Sequence, residues 1–217
     1  MHNILYFLFG LPKTLIINFK YFSWHDAWRL PIWVTFRCRL RALKGEIKIE
    51  APLKPGMIKI GYGDVGVIDN HERASFSNDG LIIFKGKTNI GVASKIDNHA
   101  ILVFGKNFVA TAKTSITCYC KITFGDDVLV SWDTSFMDTD VHKVFDSDHH
   151  RINEDKSINI GNQVWIGFGT TVLKGSFIPN GCVIGANSTI TKCYTQEKSI
   201  IVGNVGKTYL SGISWEV

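Results

Sequence analysis

Residues 136–150, FMDTDVHKVFDSDHH, bring four aspartates and three histidines into one short stretch of the chain. Histidine titrates near neutral pH, so it can take a proton from a hydroxyl or an amine as that group attacks an electrophile. A neighbouring carboxylate can hold the second ring nitrogen and fix the tautomer. The stretch therefore favours acid–base chemistry, and the alternative is a solvated acidic loop.

The sequence around this stretch repeats with a period of six. Every sixth residue of one segment is aliphatic: Ile160, Ile166, Val172, Ile178, Ile184 and Ile190. Neither the 3.6-residue period of a helix nor the two-residue period of a strand places all of these side chains on one side. A coil with three short strands per turn does so. The pattern therefore predicts an all-β, triangular β-helix with these residues inside.

The pattern extends upstream as three rows of 20 residues, 81–100, 101–120 and 121–140. Residues 141–156 fit no column of the alignment, so we expect them to form a loop outside the stack. Loops longer than about 12 residues in a compact domain are usually functional or disordered. The predicted β-helix domain covers residues 57–193 with residues 141–156 looped out, and residues 194–217 form a closing segment.

Residues 1–56 precede the repeat and are predicted to be partly helical. Ser23 and Asp26 have the spacing of a helix start, Pro31 is a stop signal, and such a helix would cap the first turn.

Residues 1–45 carry seven of the 24 Lys and Arg residues but one of the 19 Asp and Glu residues. This asymmetry favours an anionic partner, and the interleaved aromatic residues favour a membrane surface over nucleic acid. The alternative is that the segment only packs on the fold. The apolar run at residues 4–11 is about half of the roughly 20 residues that a bilayer span needs. With no signal-peptide pattern, we expect a cytoplasmic protein, with peripheral contact at the inner face of the membrane as an option.

The segment INIGNQVWIGFGTTVLKGSFIPNGCVIGANSTITK, residues 158–192, resembles the hexapeptide-repeat acyltransferases with a left-handed parallel β-helix. MDTDVHKV, residues 137–144, looks like the catalytic-histidine loop of their sugar O-acetyltransferase branch, which includes capsule and O-antigen modifying enzymes. The resemblance covers residues 57–207. It implies the left-handed fold, a homotrimer, acetyl-CoA as co-substrate and a sugar or glycan as acceptor.

The resemblance also implies roles for individual residues around the loop. His142 is the expected general base, and Asp138 or Asp140 would orient its imidazole. Thr111 stands where related enzymes use an asparagine to position the acceptor, and Asp133 is a second expected acceptor-binding residue. The alternative for His142 is a solvated histidine among acids.

A second set of residues is expected to bind acetyl-CoA on the same grounds: Trp165, Gly167, Gly169, Ala186, Lys192 and Lys207. The tryptophan would flank the pantetheine channel, the glycines would let backbone amides approach the thioester, and the lysines would contact the CoA phosphates. Each has a simpler alternative, which is a subunit interface for the tryptophan, packing for the alanine and solvation for the lysines.

No metal site is expected. His71 and His99 do not share a column with His142, as a zinc site built from successive turns would require. His149 and His150 are expected to be exposed loop residues.

These observations predict an acetyl-CoA-dependent O-acetyltransferase that acts on a sugar hydroxyl of a surface polysaccharide or its lipid-linked precursor. Two alternatives stay open. One is N-acetylation of a nucleotide-linked amino sugar, and the other is a trimeric β-helix without catalysis.

Overall fold

The computed structural model describes residues 2–63, 65, 66, 68 and 72–216, with side chains from residue 7 onward. Within these residues, helices α1 (His2–Tyr21) and α2 (Trp24–Ala27) precede 22 short strands. The strands form three sheets, which are the faces of a triangular parallel β-helix. The predicted all-β fold with a partly helical N-terminal cap is confirmed.

In each sheet, the strands follow one another along the prism so that neighbours are hydrogen-bonded. The first sheet contains Ile32–Val34, Ile58–Ile60, Thr88–Val92, Phe108–Ala112, Leu129–Val130, Trp165–Ile166, Val183–Ile184, Ser199–Val202 and Lys207–Ser211. The second sheet contains Arg39–Leu43, Ser75–Asn78, Lys95–Asn98, Ser115–Cys118, Ser135–Met137, Thr171–Leu173 and Thr189–Ile190. The third sheet contains Glu46–Ile49, Leu81–Phe84, Ile101–Phe104, Lys121–Phe124, Ile158–Ile160 and Phe177–Ile178.

The core lies along the axis of the prism and consists of the inward residues of successive turns. All six aliphatic residues of the six-residue repeat are buried, as predicted. In the earlier turns, Phe84, Phe104 and Phe124 stack with ring centroids 5.3 and 5.5 Å apart. In-register stacking of like side chains gives a close-packed interior without a second layer of structure.

The corner between the first and second sheets repeats a left-handed backbone conformation. Five residues stacked in this column have φ between 48° and 66°: Ala93, Lys113, Asp133, Gly169 and Asn187. Such a conformation is uncommon for residues other than glycine, with Asn and Asp enriched. The corner therefore turns each coil sharply enough to bring the next strand onto the adjacent face.

The β-helix begins at Ile32, earlier than the predicted start at residue 57. The strand Ile32–Val34 pairs in register with Ile58–Ile60, which makes residues 32–49 the first turn. A register shift between Leu40 and Leu43 interrupts the six-residue step there, which explains why the periodicity did not reveal this turn. At the other end, Ser199–Val202 extends the first sheet beyond residue 193, and Lys207–Ser211 folds back against it as its antiparallel partner.

Helix α1 covers the open edge of the first strand with polar side chains. Asn18 Nδ2 donates to the carbonyl of Ile32 at 2.7 Å, and the Ile32 amide donates to Asn18 Oδ1 at 3.2 Å. The Val34 amide donates to Thr14 Oγ1 at 3.0 Å, and that hydroxyl donates back to the Val34 carbonyl at 3.3 Å. A Cβ on Gly10 would lie 2.3 Å from the same carbonyl, so only glycine allows this close approach. The helix thus satisfies backbone groups that an unpaired edge would leave exposed.

Helix α2 begins as predicted, since the amide of Asp26 donates to the Ser23 hydroxyl at 3.3 Å. Among the described residues, no helix is long and apolar enough to cross a bilayer.

We expect the Asn18→Leu variant to be less stable than the wild type by about 2–5 kcal/mol, because a buried amide and a buried carbonyl would both lose their partner. Urea unfolding followed by circular dichroism measures this change. Lys20→Ala on the exposed side of α1 is the matched control and should shift the midpoint little. Equal midpoints for Asn18→Leu and the control would contradict this role of the helix.

Candidate active site

Residues 141–156 leave the prism between the second and third sheets without disturbing the pairing of the strands on either side. Phe136 still pairs with Val172 in the next turn, and Ile158 pairs with Ile122 in the previous one. The strands on both sides of residues 141–156 therefore keep the register of the β-helix.

The tip of the loop is a tight turn organised by Asp146. Its carboxylate accepts from the amides of Asp148 at 3.0 Å and His150 at 2.8 Å, and the ring of His149 stacks on Phe145 at 4.9 Å. Both histidines are solvent-exposed. The turn is thus held by local contacts that do not involve His142.

His142 lies at the base of the loop, where its main chain is fixed by Asn153. The Asn153 side-chain amide donates to the His142 carbonyl and to Asp140 Oδ2, both at 2.8 Å. Its side-chain oxygen accepts from the Val144 amide at 2.7 Å. One side chain therefore ties the outgoing and returning strands of the loop together around His142.

Lys174 attaches this base to the next turn of the β-helix. Its ammonium group donates to the Asp140 carboxylate and to the Asn153 carbonyl, the latter at 3.1 Å. The hydrogen bond from Lys174, followed by that from Asn153, lowers the pKa of Asp140. The contact therefore stabilises the folded loop at pH values above the ordinary carboxyl range, and the contribution is lost as the pH falls through the lowered pKa.

Asp138 has a different environment, since it is fully buried beneath the loop. Its carboxylate accepts from the amides of Tyr119 at 2.7 Å and Cys120 at 2.9 Å in the previous turn. Both amides lie at the corner between the second and third sheets, where ladder partners end. The carboxylate thus replaces the missing acceptors.

The imidazole of His142 is exposed and makes no hydrogen bond or ion pair with any residue that the structure describes. The predicted contact of Asp138 or Asp140 with this ring is therefore absent within the described chain. Asp138 holds the preceding corner, and Asp140 holds the base of the loop. Both carboxylates position the backbone that carries His142.

A polar cleft of about 460 Å³ lies on the second sheet, next to the corner with the first sheet. Its lining residues are Glu72, Arg73, Ala93, Lys95, Lys113, Ser115, Asp133 and Ser135. Asp133, a predicted acceptor-binding residue, therefore lines this cleft. Thr111 does not line it, because it belongs to the first sheet, and its hydroxyl is buried without a hydrogen-bond partner among the described residues.

The expected acetyl-CoA residues do not form one cluster. Trp165 is on the outside of the first sheet, where its indole nitrogen donates to Ser131 Oγ at 3.1 Å and its ring lies 6.1 Å from that of Trp215. Lys192 is exposed and lies 5.5 Å from the Tyr194 ring. Lys207 is exposed at the start of the last strand.

Gly167, Gly169 and Ala186 lie together at the corner between the first and second sheets, but packing accounts for both glycines. A Cβ on Gly167 would lie 2.7 Å from the Ile184 carbonyl, and one on Gly169 would lie 2.1 Å from Asn187 Oδ1. Both glycine amides already donate to carbonyls of neighbouring coils, at 2.8 and 3.0 Å. The N–H groups of Gly167 and Gly169 are therefore already used in the fold, and the predicted role of these glycines beside the thioester stays a prediction.

Sequence reasoning missed an aromatic pair at this corner. The rings of Trp132 and Phe168 stack with centroids 5.5 Å apart and planes inclined by 15°, and 40% of Phe168 is exposed. The two residues share one column of the repeat, which is the signal that could have revealed them. The exposed surface of the two rings is flat and apolar, and it lies next to Asp133 and Gly169.

The remaining histidines do not form a metal site in the described part of the chain, where no cluster of three or more His, Cys, Asp or Glu residues could hold an ion. His99 lies 3.2 Å from Asp97 and 3.7 Å from Asp79, and its ring packs on Tyr119. His71 lies outside the described residues.

No family model matches the sequence, but parts of it align with curated proteins. The chain is 29% identical over 147 residues to the "Putative lipopolysaccharide biosynthesis O-acetyl transferase WbbJ" of Escherichia coli strain K12, covering 58% of this chain and 69% of that protein. It is 27% identical over 111 residues to the polysialic acid O-acetyltransferase of Neisseria meningitidis, covering 50% of this chain and 52% of that enzyme. This second alignment spans about half of the relative's length.

Among solved structures, the polySia-specific acetyltransferase NeuO matches with a TM-score of 0.51 and 22% sequence identity, over 83% of this chain and 82% of that one. This likeness establishes the fold, a left-handed parallel β-helix. The relatives by sequence are named O-acetyltransferases. The chain is thus similar in sequence and in fold to these acetyltransferases. In the described part of this chain, the loop that carries His142 is an insertion between two strands of the repeat.

We expect the Asn153→Ala variant to release the base of the loop. The amides of His142 and Val144 should exchange with solvent about tenfold faster, since each hydrogen bond contributes about 0.5–1.5 kcal/mol and three are removed. Hydrogen exchange measured by NMR or mass spectrometry reports this change. Asn159→Ala, on the strand that follows the loop, is the control, and similar exchange in both variants would contradict the role of Asn153.

Proposed function

We propose that this protein is an acyltransferase that moves an acetyl group from acetyl-CoA to a hydroxyl of a sugar in a surface polysaccharide or its lipid-linked precursor, with His142 as general base. The observation that carries the proposal is the construction of the loop. Asn153 and the Asp140–Lys174 pair fix the backbone of His142, while its imidazole has no hydrogen-bond partner among the residues that the structure describes. A base that must meet a substrate needs this combination of a fixed backbone and a free ring.

In the proposed reaction, the imidazole takes the proton of the sugar hydroxyl as the oxygen attacks the thioester carbonyl carbon. The tetrahedral oxyanion then collapses, the carbon–sulfur bond breaks, and the imidazolium returns the proton to the departing CoA thiolate. One ester replaces one thioester, so the proton balance closes without another reactant. The chain's own contribution is to hold the base and to bind both substrates next to it.

We assign the acceptor to the polar cleft of the second sheet. Ser115 and Ser135 offer hydroxyls to a sugar, and Lys95 and Arg73 are exposed cations beside them. Lys113 forms an ion pair with Glu72 at 2.6 Å, which narrows one wall of the cleft. This mixture of short polar and cationic groups suits a glycan that carries carboxylate or phosphate groups. The name of the Neisseria relative, a polysialic acid O-acetyltransferase, is consistent with such an acceptor.

The cleft and the base lie at opposite edges of the second sheet, because Asp133 precedes and His142 follows the same strand, Ser135–Met137. One chain therefore does not bring the two together. We propose that a homotrimer does, with the loop of one subunit reaching toward the cleft of the next. Apolar loop residues support this arrangement, since Val144 and Ile152 are 49% and 62% exposed in the single chain.

His142→Ala should lower the acetyl-transfer rate by about 10²–10⁴-fold, the usual contribution of a general base. The release of free CoA thiol, measured with a panel of acidic and neutral glycans, checks this prediction. His150→Ala removes an exposed imidazole from the same loop and should retain the wild-type rate. Equal rates for wild type and His142→Ala would exclude His142 as the base.

The acceptor panel also separates the alternatives. Transfer to amino sugars without transfer to hydroxyl acceptors would replace O-acetylation by N-acetylation. Absence of release with every acceptor, for wild type and variant alike, would favour a β-helix without catalysis.

The Val144→Ser/Ile152→Ser double variant should no longer form a trimer, because it lacks the two apolar side chains that we expect to be buried between subunits. Sedimentation velocity measures the oligomeric state, and Tyr209→Ser, which removes a 77% exposed ring from the last strand, is the control. A monomeric wild type, or a double variant that stays trimeric, would contradict the shared site.

A further inference from the structure

Helix α1 exposes several large apolar side chains and buries polar ones. Its buried side carries Gly10, Thr14 and Asn18 beside the apolar Ile17. Its outer side is apolar, since Phe9 and Ile16 are 66% and 55% exposed. A surface helix ordinarily turns its polar side to water, so the outer side of α1 is built to contact something other than water.

Aromatic residues beyond the end of α1 extend this outer side. Trp24 and Trp28 are 72% and 56% exposed, with ring centroids 5.7 Å apart. Phe19 packs against both rings at 5.1 Å. Tryptophan is the residue most typical of a membrane–water interface, because its ring is apolar and its indole N–H stays hydrated. We call this surface the apolar cap face, and its members are Leu8, Phe9, Ile16, Trp24 and Trp28.

The charges around the apolar cap face are mostly positive. Exposed basic residues of the cap and first turn are Lys20, Arg29, Arg39, Arg41, Lys44 and Lys48. The exposed acid of the first turn, Glu46, pairs with Lys48 at 4.0 Å. Asp26 is the sole acidic residue among residues 1–45, and it pairs with Arg29 at 3.7 Å. An apolar patch surrounded by cations complements an anionic lipid surface, where each nearby Lys or Arg contributes about 1 kcal/mol.

We propose that the apolar cap face docks on an anionic phospholipid bilayer, with α1 lying in the plane of the interface. The polar side of α1 stays on the edge strand Ile32–Val34, so docking requires no rearrangement of the fold. The end of the β-helix that contains the first turn then faces the membrane.

This orientation also bears on the acceptor, a step that rests on the proposed function. Along the second sheet, the strand before the loop, Ser135–Met137, is four strands from Arg39–Leu43. At about 4.8 Å per strand, the base of the loop would stand roughly 19 Å beyond the first turn. That height suits a sugar several units from a lipid anchor better than one attached directly to it.

Sedimentation of the full chain with phosphatidylcholine vesicles, with and without phosphatidylserine, tests the proposal. The wild type should bind the vesicles that contain phosphatidylserine, and added salt should weaken the binding. Phe9→Ser/Trp24→Ser removes two exposed rings and should lower the partition coefficient at least about tenfold. Tyr209→Ser/Leu210→Ser, at the opposite end of the β-helix, should bind as the wild type does.

Two further readouts separate the outcomes. Acetyl transfer to a water-soluble oligosaccharide should be unchanged in Phe9→Ser/Trp24→Ser. His142→Ala should lose acetyl transfer but bind vesicles normally. The first variant therefore tests the membrane proposal, and the second tests the proposed function. Wild-type binding that equals that of Phe9→Ser/Trp24→Ser would overturn the membrane assignment. A change of oligomeric state in that variant, with vesicle binding intact, would assign the apolar cap face to a second copy of the chain instead.

Discussion

In-register pairing between successive turns is the constraint on which the rest of this structure depends. Each strand bonds to the strand one turn away, so in the regular turns a residue repeats its environment after 18 or 20 positions. Inward columns can then be aliphatic or aromatic throughout, as the stacked rings of Phe84, Phe104 and Phe124 are. The same rule leaves an unpaired edge at each end of the prism. Thr14 and Asn18 of α1 cover one, and the antiparallel strand Lys207–Ser211 pairs with the last parallel strand of the first sheet.

The candidate base depends on the same constraint through a short chain of contacts. Lys174 directly follows the strand that pairs with Ser135–Met137, so its ammonium group reaches Asp140 at the base of the loop. Asn153 then couples the two strands of the loop. Just before the loop, the carboxylate of Asp138 accepts hydrogen bonds from two backbone amides of the previous turn, which holds the chain there. The turn that carries His142 is therefore connected to the stack on both sides while its ring faces solvent.

The sequence was most informative where a single column determines the structure. The six-residue step identified the buried aliphatic residues from Ile160 to Ile190, and the failure of residues 141–156 to fit any column located the loop. It was least informative where partners are distant in sequence. Nothing local shows that Asp138 bonds to amides 18 and 19 residues earlier, or that Lys174 pairs with Asp140. The first turn was missed because a bulge at residues 40–43 breaks the period.

The polar cleft illustrates a second limit of sequence periodicity. The repeat identifies the side chains that point inward, but it does not show which outward side chains form a site. Arg73, Lys95 and Ser115 become neighbours only when three turns are stacked. The two acids expected from the resemblance to orient His142 have other partners, since Asp138 accepts from backbone amides and Asp140 from the side chains of Asn153 and Lys174.

The intact register on either side of residues 141–156 has an evolutionary consequence. Because the strand Ile158–Ile160 rejoins the third sheet directly above Lys121–Phe124, the length and composition of the insertion are uncoupled from the stability of the scaffold. Natural selection can lengthen, shorten or replace residues 141–156 without changing the packing of the core. Such modularity offers a physical route by which one coiled framework diversifies its chemistry while its repeat stays recognisable.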